Sequence, residues 1–156
     1  MAQHEYTSAR DSEAGLGFLV VEIGGERYGI PSANVREIVR HRPWTVVPGA
    51  PPTLPGIISQ RGIILPIVDL RALLELPDVT LGRTARFVVV QHQDVDMALL
   101  VEMALDLTSI PVDTIEHGVL NGARRGRAVR GLAHAEGLPL ALLDLDAVVA
   151  LLREGG

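Results

Sequence analysis

The chain has 156 residues, 47% of them hydrophobic and 21% charged, enough for one domain with a substantial core and too apolar for disorder. It contains no cysteine and only 3% aromatic residues, which excludes disulfides, thiolate metal sites, a thiol nucleophile and a base-stacking nucleic-acid platform. A formal net charge of -5 gives no basic footprint for nucleic acid or an anionic membrane.

Residues 1–14 mix His, Glu, Thr, Ser, Arg and Asp without an apolar run. They read as a flexible tail, not a secretory signal, ahead of a single domain over 15–153. Later apolar runs are broken by Gly, Pro or charge well before the roughly 20 residues of a membrane helix. A soluble, cytoplasmic protein without membrane insertion is expected.

The first element is Phe18-Leu19-Val20-Val21-Glu22-Ile23, and Gly24-Gly25 separates it from Arg27-Tyr28-Gly29-Ile30. The pair reads as a β-hairpin. Pro31-Ser32 then predicts a short helix with Ser32 as N-cap, placing Val35, Ile38 and Val39 on one face. Five prolines between Pro43 and Pro55 make the stretch around Trp44-Thr45-Val46-Val47 an extended connector. Ile57-Ile58-Ser59 and Ile63 to Val68 form a second hairpin around Gln60-Arg61-Gly62, and a short helix runs from Leu70 to Leu74. The pattern restarts with Arg86 to Val90, a turn near Gln93-Asp94, and Met97 to Val101. A mixed segment and a Gly/Arg-rich loop follow. Gly131 to Asp144 forms another strand pair, and Asp146 to Leu152 an amphipathic helix.

These elements repeat. Gly56–Leu76 superposes without a gap on Gly131–Leu151, matching Gly56 with Gly131, Gly62 with Gly137, Leu65 with Leu140 and Asp69 with Asp144. Phe18 to Val21 likewise matches Phe87 to Val90. Asp69 and Asp144 each precede a short helix, so they read as N-caps, not as a catalytic carboxylate pair split between two halves. A duplicated set of short strands predicts two small closed β-barrels, and halves this small should share a core.

The search for chemistry is negative. The glycine pairs lack the lysine and strand–turn–helix setting of a phosphate loop, and no serine sits in Gly-x-Ser-x-Gly. His4, His41, His92, His117 and His134 show no ligand-like spacing. His117 beside Asp113 and Glu116 is an acid–base group on paper only. Arg124, Arg125, Arg127 and Arg130 read as a solvated loop before an acidic-partner patch.

The ordered set of Phe18 to Ile30, Val35-Arg36-Glu37-Ile38, Gly56 to Gly62, Leu65-Pro66-Ile67-Val68-Asp69-Leu70-Arg71, Leu100-Val101-Glu102, Ile110-Pro111, Gly131-Leu132 and Leu142-Leu143-Asp144-Leu145 resembles the CheW-like domain family. The likeness spans Gly15 to Leu152. It implies an all-β fold with short helices, built as two intertwined five-stranded SH3-like β-barrels. It also implies an adaptor, not an enzyme, with no cofactor. Its partners would be the cytoplasmic tip of a chemoreceptor and the regulatory domain of a CheA-type histidine kinase. The resemblance places a receptor-binding groove at Val35, Glu37, Ile38, Gln60, Arg61 and Gly62, where Glu37 and Arg61 can pair. The turn reads Ser59-Gln60-Arg61-Gly62 where the family has Asn-Leu-Arg-Gly, Glu102 stands in place of Asp, and Ala98 in place of Gly. Two alternatives stay open: an adaptor of a pilus, gliding or gene-regulating pathway, and a small ligand-binding or hydrolytic barrel sharing only the fold.

Overall fold

The computed structural model describes residues 15–118 and 123–154, so the predicted tail over 1–14 lies outside the described residues. Strands β1 (Leu16–Ile23) and β2 (Glu26–Pro31) form the predicted hairpin, with Val21 opposite Tyr28. Strands β5 (Gly56–Gln60), β6 (Ile63–Asp69), β7 (Arg86–His92), β8 (Val95–Val101), β10 (Val129–Ala135) and β11 (Leu138–Leu143) also follow the sequence reading. Helices α1 (Leu70–Leu73) and α3 (Leu145–Arg153) stand where expected.

Three local expectations are corrected. The helix predicted after Pro31 is a 3₁₀ turn, Ser32–Asn34, without a side-chain cap, and Val35–Arg40 is strand β3. Its β-branched residues suit a strand, and pairing with β7 satisfies its backbone. Period 2 therefore replaces the helical face: Val35, Glu37 and Val39 are half-buried while Arg36, Ile38 and Arg40 are exposed. The mixed segment is strand β9 (Met103–Ile110), paired along β1. The Gly/Arg-rich stretch carries helix α2 (Ala123–Ala128). Two of its arginines are not free in solvent: Arg125 pairs with Glu26 at 3.2 Å, and Arg127 with Glu154. Within the proline-rich connector, Thr45–Val46 forms the short strand β4.

The strands make two sheets, ordered β10-β11-β2-β1-β9 and β3-β7-β8-β6-β5-β4. Each sheet mixes strands from both halves of the repeat, joined by the parallel pairs β11–β2 and β6–β8. One sheet has the expected five strands; the other has six, because β4 adds to β5. Among the described residues neither sheet is closed by strand pairing, so the closed barrels predicted from the repeat are not formed by backbone ladders.

The paired apolar runs now have a reason. In β1, Phe18 and Val20 face a cluster with Ile110, Leu140 and Leu142, while Leu19, Val21 and Ile23 face the opposite way. In β7, Phe87 and Val89 face a cluster with Ile58, Leu65 and Leu100, while Val88 and Val90 turn the other way. The opposite faces of both strands meet in one shared core with Tyr28, Leu99 and Val148. Strands buried on both faces read as unbroken hydrophobic runs.

Both aspartates are N-caps: Asp69 accepts from the Arg71 N–H at 3.0 Å and Asp144 from the Ala147 N–H at 3.2 Å. Asp144→Ala should cost about 1 kcal/mol in chemical denaturation. An unchanged midpoint would mean that packing alone holds α3. The departing Glu102 also has a role. Its carboxylate accepts the Gly24 N–H at 2.7 Å, tying the β1–β2 turn to the end of β8.

Candidate partner-binding edge

Strand β3 is one edge of the six-stranded sheet, and the β5–β6 turn lies toward the other. Arg61 and Gly62 form that turn with φ of 52° and 79°. Positive φ at both central positions is the type I′ pattern, whose twist suits a two-residue hairpin. The turn aims Arg61 at β3. Its Nε donates to Glu37 Oε2 at 3.0 Å and its Nη2 to the same oxygen at 2.8 Å. Gln60 Nε2 adds a donor to Glu37 at 3.3 Å. Arg42 donates to the Ser59 carbonyl and, at 3.1 Å, to Gln60 Oε1. The sheet thus curls until side chains, not strand pairing, join its two ends.

The Arg61 hydrogen bonds, outweighing burial, hold the Glu37 carboxyl below the ordinary carboxylate range, and the same bonds raise Arg61. The pair stays charged at neutral pH. Arg61 remains 75% exposed, against 23% for Glu37, so the carboxylate orients a guanidinium that still faces solvent. Ile38, next to Glu37 on β3, and Ile63 and Ile64, just after the turn, are exposed apolar side chains.

Of the six residues expected in the groove, Glu37, Gln60 and Arg61 are brought together by hydrogen bonds, and Gly62 completes their turn. Ile38 is 43% exposed on the outer face of β3. Val35 turns inward instead and packs against the shared core. Sequence reasoning missed Arg42, Ile63 and Ile64. The alternation Ile63, Leu65, Ile67 was legible, but Ile63 extends past the end of the core, and only the fold shows where that core stops.

The second half repeats this edge with different chemistry. Val89 opposes Glu37, and its repeat equivalent Val20 opposes Asp106. The turn equivalent to Arg61-Gly62 is Glu136-Gly137, with φ of 52° and 79°. Asp106 and Glu136 therefore occupy the places of Glu37 and Arg61. They line an open groove of about 310 Å³ with Arg27, Leu105, Leu107 and Thr108 instead of lacing it shut.

Residues 17–153 match the family described as CheW-like domain. The chain belongs to the CheW family. It is 26% identical to the chemotaxis protein CheW of Bacillus subtilis over 139 residues, covering 88% of each chain. It is 32% identical to protein FrzA of Myxococcus xanthus, covering 77% of this chain and 75% of that one. Protein PilI of Pseudomonas aeruginosa is 33% identical, over 68% of this chain and 58% of its own length. The fold matches the crystal structure of scaffolding protein TtCheW from Thermoanaerobacter tengcongensis with a TM-score of 0.78. That match has 23% identity and covers 84% of this chain and 85% of the other.

In this CheW-family chain the unusual Gln60 is a working part of the edge, since its amide bridges Arg42 and Glu37. Other polar sites have structural roles. His117 Nδ1 lies 3.0 Å from the Arg130 carbonyl, beside the backbone bridge from Glu116 to Leu132. A cavity of about 400 Å³ is lined by Glu26, Tyr28, Arg125, Leu132 and Leu138 among others. Burial and then the Glu26 hydrogen bond push the Tyr28 phenol far up, so it is a protonated donor, not a base. Among the described residues no group of three His, Asp or Glu side chains could hold a metal, and no helix is long and apolar enough to cross a membrane.

Proposed function

We propose that this chain is a cytoplasmic coupling scaffold that joins the cytoplasmic tip of a chemoreceptor to the regulatory domain of a CheA-type histidine kinase, with the Glu37–Arg61 edge as its receptor contact. We read each curled sheet as one of the two SH3-like barrels of that family. The single observation that carries the receptor assignment is the exposed Arg61, held in place by Glu37, with the exposed apolar residues Ile38 and Ile63 following Glu37 and the Arg61-Gly62 turn in the chain. A guanidinium fixed before binding loses less conformational freedom on contact. Apolar neighbours of this kind suit the apolar face of a receptor helix. The action is equilibrium binding, with many modest contacts adding up across an assembly.

The test is calorimetric titration of the chain with a receptor-tip fragment and, separately, with the kinase regulatory domain. Arg61→Glu sets a second carboxylate against Glu37 at an exposed position, so the fold should persist. Receptor affinity should fall about thirtyfold, as for a central interface arginine, while kinase affinity holds within about twofold. Unchanged receptor affinity would remove this edge from the receptor contact. Failure of the wild-type chain to bind either partner would overturn the coupling role.

A further inference from the structure

At the far end of β3 lies a cleft with no assigned role. It is a broad, open depression of about 750 Å³ lined by Arg40, His41, Leu81, Gly82, Arg83 and Arg86. Among the described residues no carboxylate lines it. Arg40 and Arg86 are direct cross-strand partners on β3 and β7. Like charges facing each other across a ladder are destabilising, and opposite charges would serve the sheet better. Arg86 donates only to the backbone carbonyls of Arg83 and Ala85, at 2.9 and 2.8 Å, which fixes the loop carrying Arg83. Among the described residues the side chains of Arg40 and Arg83 make no hydrogen bond or ion pair. Arg61, Arg71, Arg125 and Arg127 each hold a carboxylate, whereas none of the three arginines clustered in this cleft does among the described residues.

The floor between these arginines is held in place. His41 is tied to the Ala85 carbonyl through its backbone N–H at 3.2 Å. Its ring contacts both Trp44 and Phe87, with centroids 5.7 and 5.5 Å away. Three guanidinium-bearing residues thus stand around a fixed apolar base, in a chain whose net charge is -5. The repulsion between Arg40 and Arg86 is relieved once an anion lies between them.

We propose that this cleft docks an acidic, carboxylate-rich segment of a protein partner, at a site separate from the Arg61 edge. Its width and openness suit a peptide chain presenting several carboxylates, each able to take a two-pronged contact from a guanidinium. The contact adds a second, charge-selected surface to the proposed scaffold. It does not depend on receptor binding at Arg61.

Hexaglutamate titrated into the full chain at low ionic strength, followed by backbone amide NMR shifts, tests the proposal. Saturable shifts are expected at Arg40, His41, Gly82, Arg83 and Arg86, weakening as salt rises. Arg40→Glu should reduce hexaglutamate affinity about tenfold or more, the loss of one charge-assisted contact. The same variant should not lower Tm, because a carboxylate opposite Arg86 replaces repulsion with attraction. Arg83→Gln, away from the ladder, should weaken binding without touching sheet pairing. Absence of shifts in this region, or shifts that both variants leave intact, would overturn the site. Saturation by tripolyphosphate without response to hexaglutamate would overturn the peptide assignment in favour of a phosphate ligand.

Discussion

Gly56→Ala should lower stability by about 3 kcal/mol and Tm by roughly 10 °C, as read by circular dichroism on heating. A Cβ at Gly56 would stand far inside van der Waals contact of the Thr45 carbonyl and of Trp44 Cδ1, and 3.0 Å from Trp44 Nε1. The carbonyl belongs to β4, which pairs with β5 at this point, so relief requires the short strand to move. Trp44 can give little, since it packs edge-on against both His41 and Phe87. Gly131 makes the same approach in the second half: an added Cβ would lie 2.7 Å from Ile115 Cγ2 and 2.9 Å from the Glu116 carbonyl. Gly131→Ala should cost about 2 kcal/mol, because a side-chain methyl shares the clash. The double variant should show the sum, as the sites lie in different sheets. A Gly56→Ala protein as stable as wild type would show that β4 is not held against β5.

Arg71→Met should cost about 3 kcal/mol and speed proteolysis within residues 75–84. Arg71 is 7% exposed at the start of α1. Its Nε and Nη2 donate to the two Asp69 oxygens at 3.1 Å each, and its Nη1 donates to the Val79 carbonyl at 2.6 Å and pairs with Asp78 at 3.0 Å. One guanidinium therefore fixes both the helix start and the chain that leads to β7. Removing it strips Asp69 of its counter-charge and frees the loop. Arg71→Lys should recover less than half of the loss, because an ammonium cannot fork across Asp69 and reach Val79 as well. A loss confined to a few tenths of a kcal/mol for Arg71→Met would show that solvent screens the cluster.

Much of this arrangement was legible before any fold. Hairpin pairs appear as apolar, mostly β-branched or Leu/Ala-rich runs around Gly24-Gly25, Arg61-Gly62, Gln93-Asp94 and Glu136-Gly137, all of which adopt positive φ. Repeat-matched aspartates announced helix caps, because a cap depends on a contact a few residues away. Of the matched glycines, expected at turns, Gly62 and Gly137 are turn residues, whereas Gly56 and Gly131 lie in strands where another chain segment passes close by. The resemblance drew attention to Glu37 and Arg61. Arg42, Ile63 and Ile64 escaped, since a donor to a carbonyl 17 positions away and an apolar residue beyond the core edge leave no periodic signal.

Sequence alone determined the apolar strands, the two-residue turns, the capping aspartates and the duplication, all local properties of the chain. Tertiary structure decided that Val35–Arg40 is a strand, since its spacing satisfies a helix or a strand and the free hydrogen-bonding edge of β7 selects the second. It also decided that each sheet would exchange strands between halves, which buries both faces of β1 and β7 in a way neither half could achieve separately. The joined ends at Glu37 and Arg61, and the unpaired arginines at the other end of β3, follow from that long-range pairing. Local patterns specify which residues want burial; only the packing of distant strands specifies which charges end up together.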